Sequence, residues 1–386
     1  MRILLTTAPM YGHVLQLVPL SWALRSAGHE VLLAAPAGFA SVALAAGLPA
    51  VENGEAVSMS EMIGFGRDGT PVPWPADPRE KQRRSGRGFG RLAARTLERT
   101  VRIAGRWRPD LVISEPTEYA GRMAAAHLGV AWVEHGWGLT PSPLYEEAAG
   151  EELAPELARL GLPGLPAPRL VLDVCPPRMQ HAHTRSVPTR RMRYVPYNGS
   201  SPVPPWTLLP RDRPRVCVTL GSVLPTVTRH LLDDVLLALT GLDAEVVLAM
   251  DTGRERGPLP PAVRAAGWLP LNTVLPACDL VVHHGGPGTT MTALVHGLPQ
   301  LILPHASSDM AAYAEKVSAL GAGRALPPAG ITAAAVEEEC RALLRDPTYR
   351  DGALSLAAEI ARQPSPAHLV PALKDAVGAG EAPCAR

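Results

Sequence analysis

Short apolar runs alternate with longer segments of helical spacing along both halves of the chain. In the first half the strand-like runs are RILLTT, EVLLAA, PDLVISE and VAWVEHG, and helical segments such as VLQLVPLSWALRSAGHE lie between them. The second half repeats the scheme with RVCVTLGS, EVVLAM, DLVVHHGG and PQLILPH. Continuously apolar strands that alternate with helices predict parallel sheets that are covered by helices on both faces.

A Pro-rich stretch without helical or strand period, YNGSSPVPPWTLLPRDRPR, separates the two halves. It predicts an N-terminal domain over residues 1–200, a linker over 201–214, a C-terminal domain over 215–377 and a flexible tail over 378–386. Ligands of open α/β sheets bind at the carboxyl ends of the strands, so we expect the site in a cleft between the domains.

Residues 57–90 break this pattern, because glycine, proline, methionine and aromatic residues are mixed there without a clear period. A substrate-facing lid or mobile helical excursion fits the segment, and so does a disordered surface insertion.

Composition narrows the class of protein. The chain has 386 residues, of which 46% are hydrophobic, and its net charge of +1 creates no field that would attract nucleic acid or an anionic membrane. No apolar run is long enough to span a bilayer, and the first residues lack the features of a signal peptide, so we expect a cytoplasmic protein. Five widely spaced cysteines without a CxxC pair argue against a disulfide framework and a structural zinc site.

The segment HHGGPGTTMTALVHG, residues 283–297, joins a predicted strand to a helix that we expect to begin near Thr289. Glycines let backbone amides approach a ligand, and a helix N-terminus offers free N–H groups and the positive end of its dipole. The GK[ST] of a P-loop and the GxGxxG of a dinucleotide site are both missing. The segment therefore predicts a phosphate site of another type, or else a tight turn that only packs two histidines.

In its wider context this segment resembles a known family. The stretch from GWLPLNTV to YAEKV, with GHVLQLVPL, CPPRMQ and MRYVPYN elsewhere, is similar to family-one glycosyltransferases, and more narrowly to the actinobacterial branch that decorates macrolide, anthracycline, angucycline and enediyne antibiotics. The likeness covers nearly the whole chain. It implies the GT-B fold, an α/β architecture of two facing Rossmann-like domains with parallel sheets and an interdomain cleft.

The resemblance also implies a donor site. Trp268 would stack on the nucleobase, the backbone at Leu269 would pair with the edge of the base, and His283 would hydrogen-bond the diphosphate. Asp309 would accept hydrogen bonds from sugar hydroxyls. The remaining donor-binding positions, which would supply amides or hydroxyls near the phosphates, are Gly221, Ser222, Gly285, Gly286, Gly288 and Thr289.

Two positions depart from the pattern of the family. Met310 stands where many relatives have Gln, and Tyr313 stands where relatives often have Asn. Fewer polar contacts suit a sugar with fewer hydroxyls, which favours a thymidine diphosphate (TDP) deoxysugar as the donor, although Met can also fill a gap otherwise occupied by water.

Candidate catalytic residues lie in the first half. His13 follows the first predicted strand, and imidazole titrates near neutral pH, so it can take a proton from an acceptor. Glu115, at the end of a neighbouring strand, is the candidate orienting carboxylate; members of the family that the chain resembles commonly have an acid there, often Asp. Glu134, His135 and Trp137 are expected to line the acceptor pocket.

The sequence thus predicts an inverting, metal-independent glycosyltransferase that moves a deoxysugar from TDP to a hydrophobic, polyketide-type aglycone in antibiotic biosynthesis. We expect no cofactor besides the nucleotide sugar, since no DxD motif or His/Asp cluster indicates a metal site. The oligomeric state is open, with a homodimer as one option. The alternatives are a sugar-nucleotide epimerase, which would need more acids in the donor site, and a non-catalytic helper, which the complete donor motif disfavours.

Overall fold

The computed structural model describes residues 1–181, 186–221, 229–250, 259–304 and 308–378. Ser222, one of the expected phosphate-site residues, and residues 379–386 of the expected tail lie outside them. The chain divides into two compact units. Unit 1 comprises Met1–Cys175, Gln180–Arg193 and Gln363–Arg386, and unit 2 comprises Pro176–Met179 and Tyr194–Arg362.

Unit 1 is built on one parallel sheet. Its strands are Arg2–Thr6 (β1), Glu30–Pro36 (β2), Ala50–Gly54 (β3), Leu111–Ser114 (β4), Ala131–His135 (β5), Leu170–Asp173 (β6) and Thr189–Arg191 (β7). They lie in the order β3-β2-β1-β4-β5-β6-β7. The order reverses between β1 and β4, and their apolar residues are fully buried, as in Leu4 and Val112, which are register partners.

Helices connect these strands. In chain order they are Tyr11–Ser26 (α1), Ala40–Ala45 (α2), Met59–Gly64 (α3), Pro78–Trp107 (α4), Tyr119–His127 (α5), Pro143–Glu152 (α6) and Ala154–Leu160 (α7). The irregular segment expected over 57–90 therefore contains α3 and the first 13 residues of α4, from Pro78 to Gly90. Asp77 is the N-cap of α4: its side chain accepts a hydrogen bond of 2.9 Å from the backbone N–H of Arg79.

Unit 2 repeats the architecture with a second parallel sheet. Its strands are Arg215–Thr219 (β8), Glu245–Leu248 (β9), Val263–Ala266 (β10), Leu280–His283 (β11), Gln300–Ile302 (β12) and Gly323–Ala325 (β13), in the order β10-β9-β8-β11-β12-β13. Its helices are Arg229–Thr240 (α8), Leu271–Val274 (α9), Pro287–Val295 (α10), Ser308–Ala319 (α11), Ala333–Arg345 (α12) and Pro347–Ala361 (α13). The two parallel sheets predicted from the apolar runs are confirmed.

The last helix, Pro366–Gly378 (α14), belongs to unit 1, where it packs against α1. Gln363 leads into it and donates from Nε2 to the carbonyl of Cys175 at 3.2 Å. The compact units thus differ from the expected ranges, which placed residues 363–377 in the C-terminal domain, residues 176–179 and 194–200 in the N-terminal domain, and residues 201–214 in a separate linker. Among the described helices, none combines the length and hydrophobicity that a bilayer span requires.

Candidate functional site

In unit 1, two predicted residues meet where the strand order reverses. His13 lies in the first turn of α1, just after β1, and Glu115 follows β4 directly. Because β1 and β4 are neighbours and parallel, the residues beyond their carboxyl ends come together. Nδ1 of His13 lies 2.8 Å from Oε1 of Glu115, so the Glu side chain reaches the imidazole directly.

The protein holds the carboxylate of Glu115 through both oxygens. Oε1 also accepts from the backbone N–H of Ala8 at 3.2 Å, and Oε2 accepts from the backbone N–H and hydroxyl of Thr117 at 2.8 and 3.0 Å. Burial by itself raises the pKa of Glu115, but the His13 ring and these hydrogen bonds outweigh it and hold the pKa below its ordinary value. Glu115 is therefore ionised at neutral pH.

This carboxylate determines the tautomer of His13. An ionised carboxylate only accepts hydrogen bonds, so Nδ1 of His13 carries a proton, and in the neutral imidazole the lone pair then lies on Nε2. The His13 side chain is 14% exposed, whereas that of Glu115 is 2% exposed. An imidazole in this state can accept a proton through Nε2 while the buried carboxylate stabilises the resulting charge.

Two aromatic rings restrict the His13 ring. The centroid of the Trp137 ring, beyond the end of β5, lies 4.4 Å from that of His13, and the centroid of the Phe89 ring, on α4, lies 5.8 Å from it. Phe89 was not singled out in the sequence, where its only signal is an aromatic residue within a glycine-rich stretch. Together, these contacts hold the imidazole by packing as well as by its hydrogen bond.

Glu134 and His135 end β5, the strand next to β4, and both are buried. Among the described residues, Nδ1 of His135 has no hydrogen-bond partner. Burial lowers the pKa of His135 to about 4, so its ring is neutral at pH 7. The structure places both residues at the same edge of the sheet as His13, and their role in acceptor binding stays a prediction.

A second buried carboxyl lies beside this site. Glu118 is the N-cap of α5. Its side chain accepts hydrogen bonds from the hydroxyl of Thr6 and, at 2.8 Å, from the backbone N–H of Gly121. Burial raises its pKa to about 7; the two hydrogen bonds lower it, and the nearby charge of Glu115 raises it further. The sequence analysis did not single out Glu118, because an acid at a helix start is an ordinary cap.

In unit 2 the strand order reverses between β8 and β11, and the glycine-rich segment lies there. Gly221 follows β8 in a left-handed conformation, with φ of +83°, and Gly286 precedes α10, which begins at Pro287 instead of near Thr289. Among the described residues, no side chain caps this end of α10. The N–H groups of Gly288 and Thr289, in the first turn, are therefore available to an anion.

The ring of His283 is fully buried and both of its nitrogens have protein partners. Nε2 lies 2.8 Å from Oε1 of Gln300, and the backbone N–H of Gly285 donates to Nδ1 at 3.1 Å. Burial lowers the pKa of His283 to about 3, so the ring is neutral and its proton lies on Nε2. In this arrangement His283 braces the turn at Gly285 and has no nitrogen left for a diphosphate, unlike the expected direct contact.

The second histidine, His284, lies between the two glycine turns. A methyl group added to Gly221 would lie 2.6 Å from Cε1 of His284, and one added to Gly286 would lie 2.5 Å from Nε2. Nδ1 of His284 is buried and, among the described residues, has no partner. Burial lowers the pKa of His284 to about 4. His284 was not among the predicted site residues, because the resemblance implied a role for the first histidine of the pair only.

The remaining residues predicted to bind the donor lie after β10 and at the start of α11 in unit 2. Trp268 comes after β10 and is 47% exposed, whereas Leu269 packs against the core below. Asp309 and Met310 lie in the first turn of α11, partly exposed. A methyl group added to Gly285 would lie 3.0 Å from the carbonyl oxygen of Met310, so this turn of α11 directly adjoins the glycine turn.

The structure therefore places Gly221, the segment 283–289 and Met310 together at one edge of the sheet in unit 2. Tyr313, which stands where relatives often have Asn, is 1% exposed. Within the described ranges, no group of three or more His, Cys, Asp or Glu side chains could hold a metal ion.

Comparisons with known proteins cover almost the whole chain. Residues 22–221 match the family model of the N-terminal domain of erythromycin biosynthesis protein CIII-like proteins, and residues 233–376 match the model of their C-terminal domain. The chain is 41% identical to L-demethylnoviosyl transferase of Streptomyces niveus over 95% of this chain and 96% of that protein.

Solved structures show the same relationship. The glycosyltransferase SsfS6 of Streptomyces sp. SF2575, in complex with thymidine diphosphate, is 39% identical, with a TM-score of 0.87 over 97% of this chain and 99% of that chain. The spinosyn rhamnosyltransferase SpnG, in complex with the spinosyn aglycone, is 32% identical, with a TM-score of 0.84 over 97% of this chain and 100% of that chain.

Glu118 makes the stability of the protein depend on pH in a defined direction. The carboxyl of the unfolded chain ionises near pH 4.5, but in the folded protein it holds its proton up to about pH 7. Raising the pH through this window should lower the free energy of unfolding by up to about 3 kcal/mol, since the folded state binds more protons. Glu115 contributes in the opposite direction and at lower pH, because its folded pKa is lowered.

Urea unfolding at a series of pH values measures this dependence. Glu118→Gln should flatten the slope between pH 4.5 and 7. Glu98→Gln, at a side chain that is 81% exposed, should leave the slope unchanged. An equal slope in wild type and Glu118→Gln would show that Glu118 is ionised in the folded protein across this range.

Proposed function

The chain belongs to the erythromycin biosynthesis protein CIII-like family of glycosyltransferases, and from this premise we propose that it transfers a deoxysugar from TDP to a polyketide-type aglycone with inversion at the anomeric carbon. Its two Rossmann-like parallel sheets are those of the GT-B fold. The observation that carries the proposal is the imidazole of His13, held by the buried carboxylate of Glu115 with Nε2 as its basic nitrogen.

His13 would act as the general base. Its Nε2 takes the proton of the acceptor hydroxyl while the acceptor oxygen forms a bond to the anomeric carbon of the sugar. The bond from that carbon to the phosphate oxygen breaks, and TDP leaves with the electron pair. Glu115 remains ionised and stabilises the imidazolium, because four hydrogen bonds hold its charge. Attack from the face opposite the leaving group inverts the configuration.

The diphosphate would be bound by the start of α10. The N–H groups of Gly288 and Thr289 point along the helix toward its uncapped end, where the dipole is positive. His284 would add a hydrogen bond from Nδ1, since a neighbouring phosphate favours the protonated imidazolium. His283 would act indirectly, by fixing the turn at Gly285 through its bond to that backbone N–H.

The rest of the donor would lie on neighbouring elements. Trp268, half exposed after β10, would stack on the thymine, and the backbone of Leu269 would pair with its edge. Asp309 would bind a sugar hydroxyl. Met310 presents an apolar side chain where a polar one would suit a fully hydroxylated sugar, so it supports a deoxysugar. The solved complex of SsfS6 with thymidine diphosphate supports the choice of nucleotide.

The acceptor would bind at the carboxyl edge of the sheet in unit 1. Trp137 and Phe89 offer apolar surface around His13, which suits a hydrophobic aglycone. The solved complex of SpnG with the spinosyn aglycone supports this class of acceptor. We propose that the charge of the leaving group is balanced by amides, helix dipole and imidazolium, without a metal ion or a resident cofactor.

Product analysis tests the proposal directly. We expect turnover of a TDP-deoxysugar with at least one member of a panel of polyketide aglycones, unaffected by EDTA, and a product of inverted anomeric configuration by NMR. A strict requirement for Mg²⁺ or Mn²⁺ would contradict the metal-free mechanism. Epimerised nucleotide sugar without transfer, or binding of aglycone without binding of TDP, would instead indicate an epimerase or a helper protein.

Replacing His13 tests the general base. His13→Ala should lower kcat by roughly 10²–10⁴ and leave the Kd of TDP unchanged, because the base acts on the acceptor and not on the nucleotide. The loss should be largest for an alcohol acceptor and smaller for an acidic phenol, which is already partly ionised near neutral pH. Steady-state kinetics and calorimetry measure the two quantities.

His127→Ala is the matched control, since His127 is an exposed histidine at the end of α5. It should retain wild-type kcat. If His13→Ala keeps full rate on an alcohol, His13 only packs between its aromatic neighbours, and Glu115 becomes the first alternative base.

Replacing His284 tests the phosphate contact. His284→Ala should raise the Kd of TDP about tenfold or more, because a hydrogen bond to a charged group contributes about 1.5–3 kcal/mol. His296→Ala removes a partly buried histidine at the other end of α10 and should leave the Kd within about twofold. Unchanged affinity in His284→Ala, with a clear loss in His283→Ala, would assign the phosphate to the turn that His283 braces and not to His284.

A further inference from the structure

The segment Tyr194–Gly199 contacts both halves of the proposed donor site in unit 2. The sequence MRYVPYN at 192–198 supported the family resemblance, but neither the resemblance nor the mechanism gives it a role. Here "nucleobase loop" denotes residues 267–270, which carry Trp268, and "phosphate helix" denotes α10. The segment makes separate hydrogen bonds toward each of them.

Asn198 supplies the missing cap behind the nucleobase loop. The short helix α9 follows Pro270, whose side chain cannot accept a hydrogen bond. Pro270 therefore leaves the first N–H groups of α9 without a side-chain cap. Instead, Oδ1 of Asn198 accepts from the backbone N–H of Asn272 at 3.0 Å. This satisfies a first-turn N–H and fixes where the nucleobase loop ends.

The other end of the Asn198 amide reaches the phosphate helix. Nδ2 of Asn198 donates to the hydroxyl of Thr292 at 3.4 Å. That hydroxyl, on a fully buried residue, donates to the carbonyl of Gly288 at 2.7 Å, and the hydroxyl of Tyr194 lies 3.4 Å from the same carbonyl. One amide is therefore bonded to the backbone of Asn272, in the helix after the nucleobase loop, and to the hydroxyl of Thr292, which in turn bonds to Gly288 in the first turn of the phosphate helix.

Gly199 lies directly against the tryptophan of the nucleobase loop. Its φ is +94°, and a methyl group added to it would lie 3.2 Å from Nε1 of Trp268. A side chain at this position would be strained and would also press on the edge of the indole. The backbone of Gly199 thus sets how close the indole lies to the segment.

A nucleoside diphosphate joins its base to its diphosphate through a single sugar, so its two subsites must lie within the distance that this sugar can span. We propose that Asn198 is a positioning residue that fixes the nucleobase loop relative to the phosphate helix, so that both engage one TDP molecule. The inference rests on the proposed donor. It attributes to Asn198 no contact with substrate.

Calorimetry with TDP and with inorganic pyrophosphate tests the inference. Asn198→Ala should raise the Kd of TDP about tenfold, which corresponds to about 1.4 kcal/mol, and raise the KM of the nucleotide sugar while kcat changes less than about threefold. The Kd of pyrophosphate, which occupies only one subsite, should be unchanged. Asn198→Asp keeps an acceptor for the N–H of Asn272 and should recover most of the affinity.

Asn53→Ala is the matched control, because Asn53 is a buried asparagine of unit 1 whose Nδ2 donates to the hydroxyl of Thr100 at 3.1 Å. It should lower the thermal unfolding midpoint without changing the Kd of TDP. Gly199→Ala is a second variant that leaves the asparagine in place, and it should also weaken TDP more than pyrophosphate.

Wild-type affinity for TDP in both Asn198→Ala and Gly199→Ala would overturn the inference, and so would an equal loss for pyrophosphate and TDP. An equal loss in Asn53→Ala would overturn it too, since the effect would then follow stability alone. A wild-type protein that fails to bind TDP at all would overturn the proposed donor, a result that the wild-type titration distinguishes from failure of the Asn198 variants alone.

Discussion

A parallel sheet whose strand order reverses has one place where two neighbouring strands lead into helices on opposite faces. In unit 1 this place lies between β1 and β4, and in unit 2 between β8 and β11. The backbone groups beyond these strand ends have no further strand to pair with, so helix starts, caps and side chains must satisfy them. The candidate chemistry of each unit, His13 with Glu115 and the glycine segment before α10, occupies its reversal point.

Burial then determines which groups carry charge. The histidines of the glycine segment, His283 and His284, have pKa values lowered to about 3 and about 4 by burial, so both rings are neutral at pH 7. In unit 1 Glu115 stays ionised although it is buried, because four hydrogen bonds offset its desolvation. Glu118, with fewer such bonds, has its pKa raised to about 7 by burial. Two buried acids three residues apart thus have pKa values shifted in opposite directions because their hydrogen-bond partners differ.

Periodicity predicted both sheets, because fully buried parallel strands give continuous apolar runs. It also placed His13 and Glu115 beyond neighbouring strands. Periodicity could not identify α4 across Gly86, Gly88 and Gly90, since glycines ordinarily weaken a helix. In the structure, side chains at Gly86 and Gly88 would collide with Tyr145 and Ile63, so the glycines allow close packing of α4. Nor could it assign α14 to unit 1, because an amphipathic helix does not specify its partner.

The pair His283–His284 shows a limit of a different kind. Successive residues at the end of a strand point to opposite faces, so one ring had to turn into the core and the other toward the glycine turns. The resemblance implied a diphosphate contact for His283, whereas the proposal above gives this contact to His284, because Gln300 and Gly285 already engage both nitrogens of His283. A buried histidine used in this way places polar atoms in the core, and each of them needs a hydrogen-bond partner. The protein meets the same requirement at Asn198, where one amide caps α9 and bonds to Thr292. In the proposed donor site, placement of the backbone therefore depends on polar side chains that need not touch the ligand.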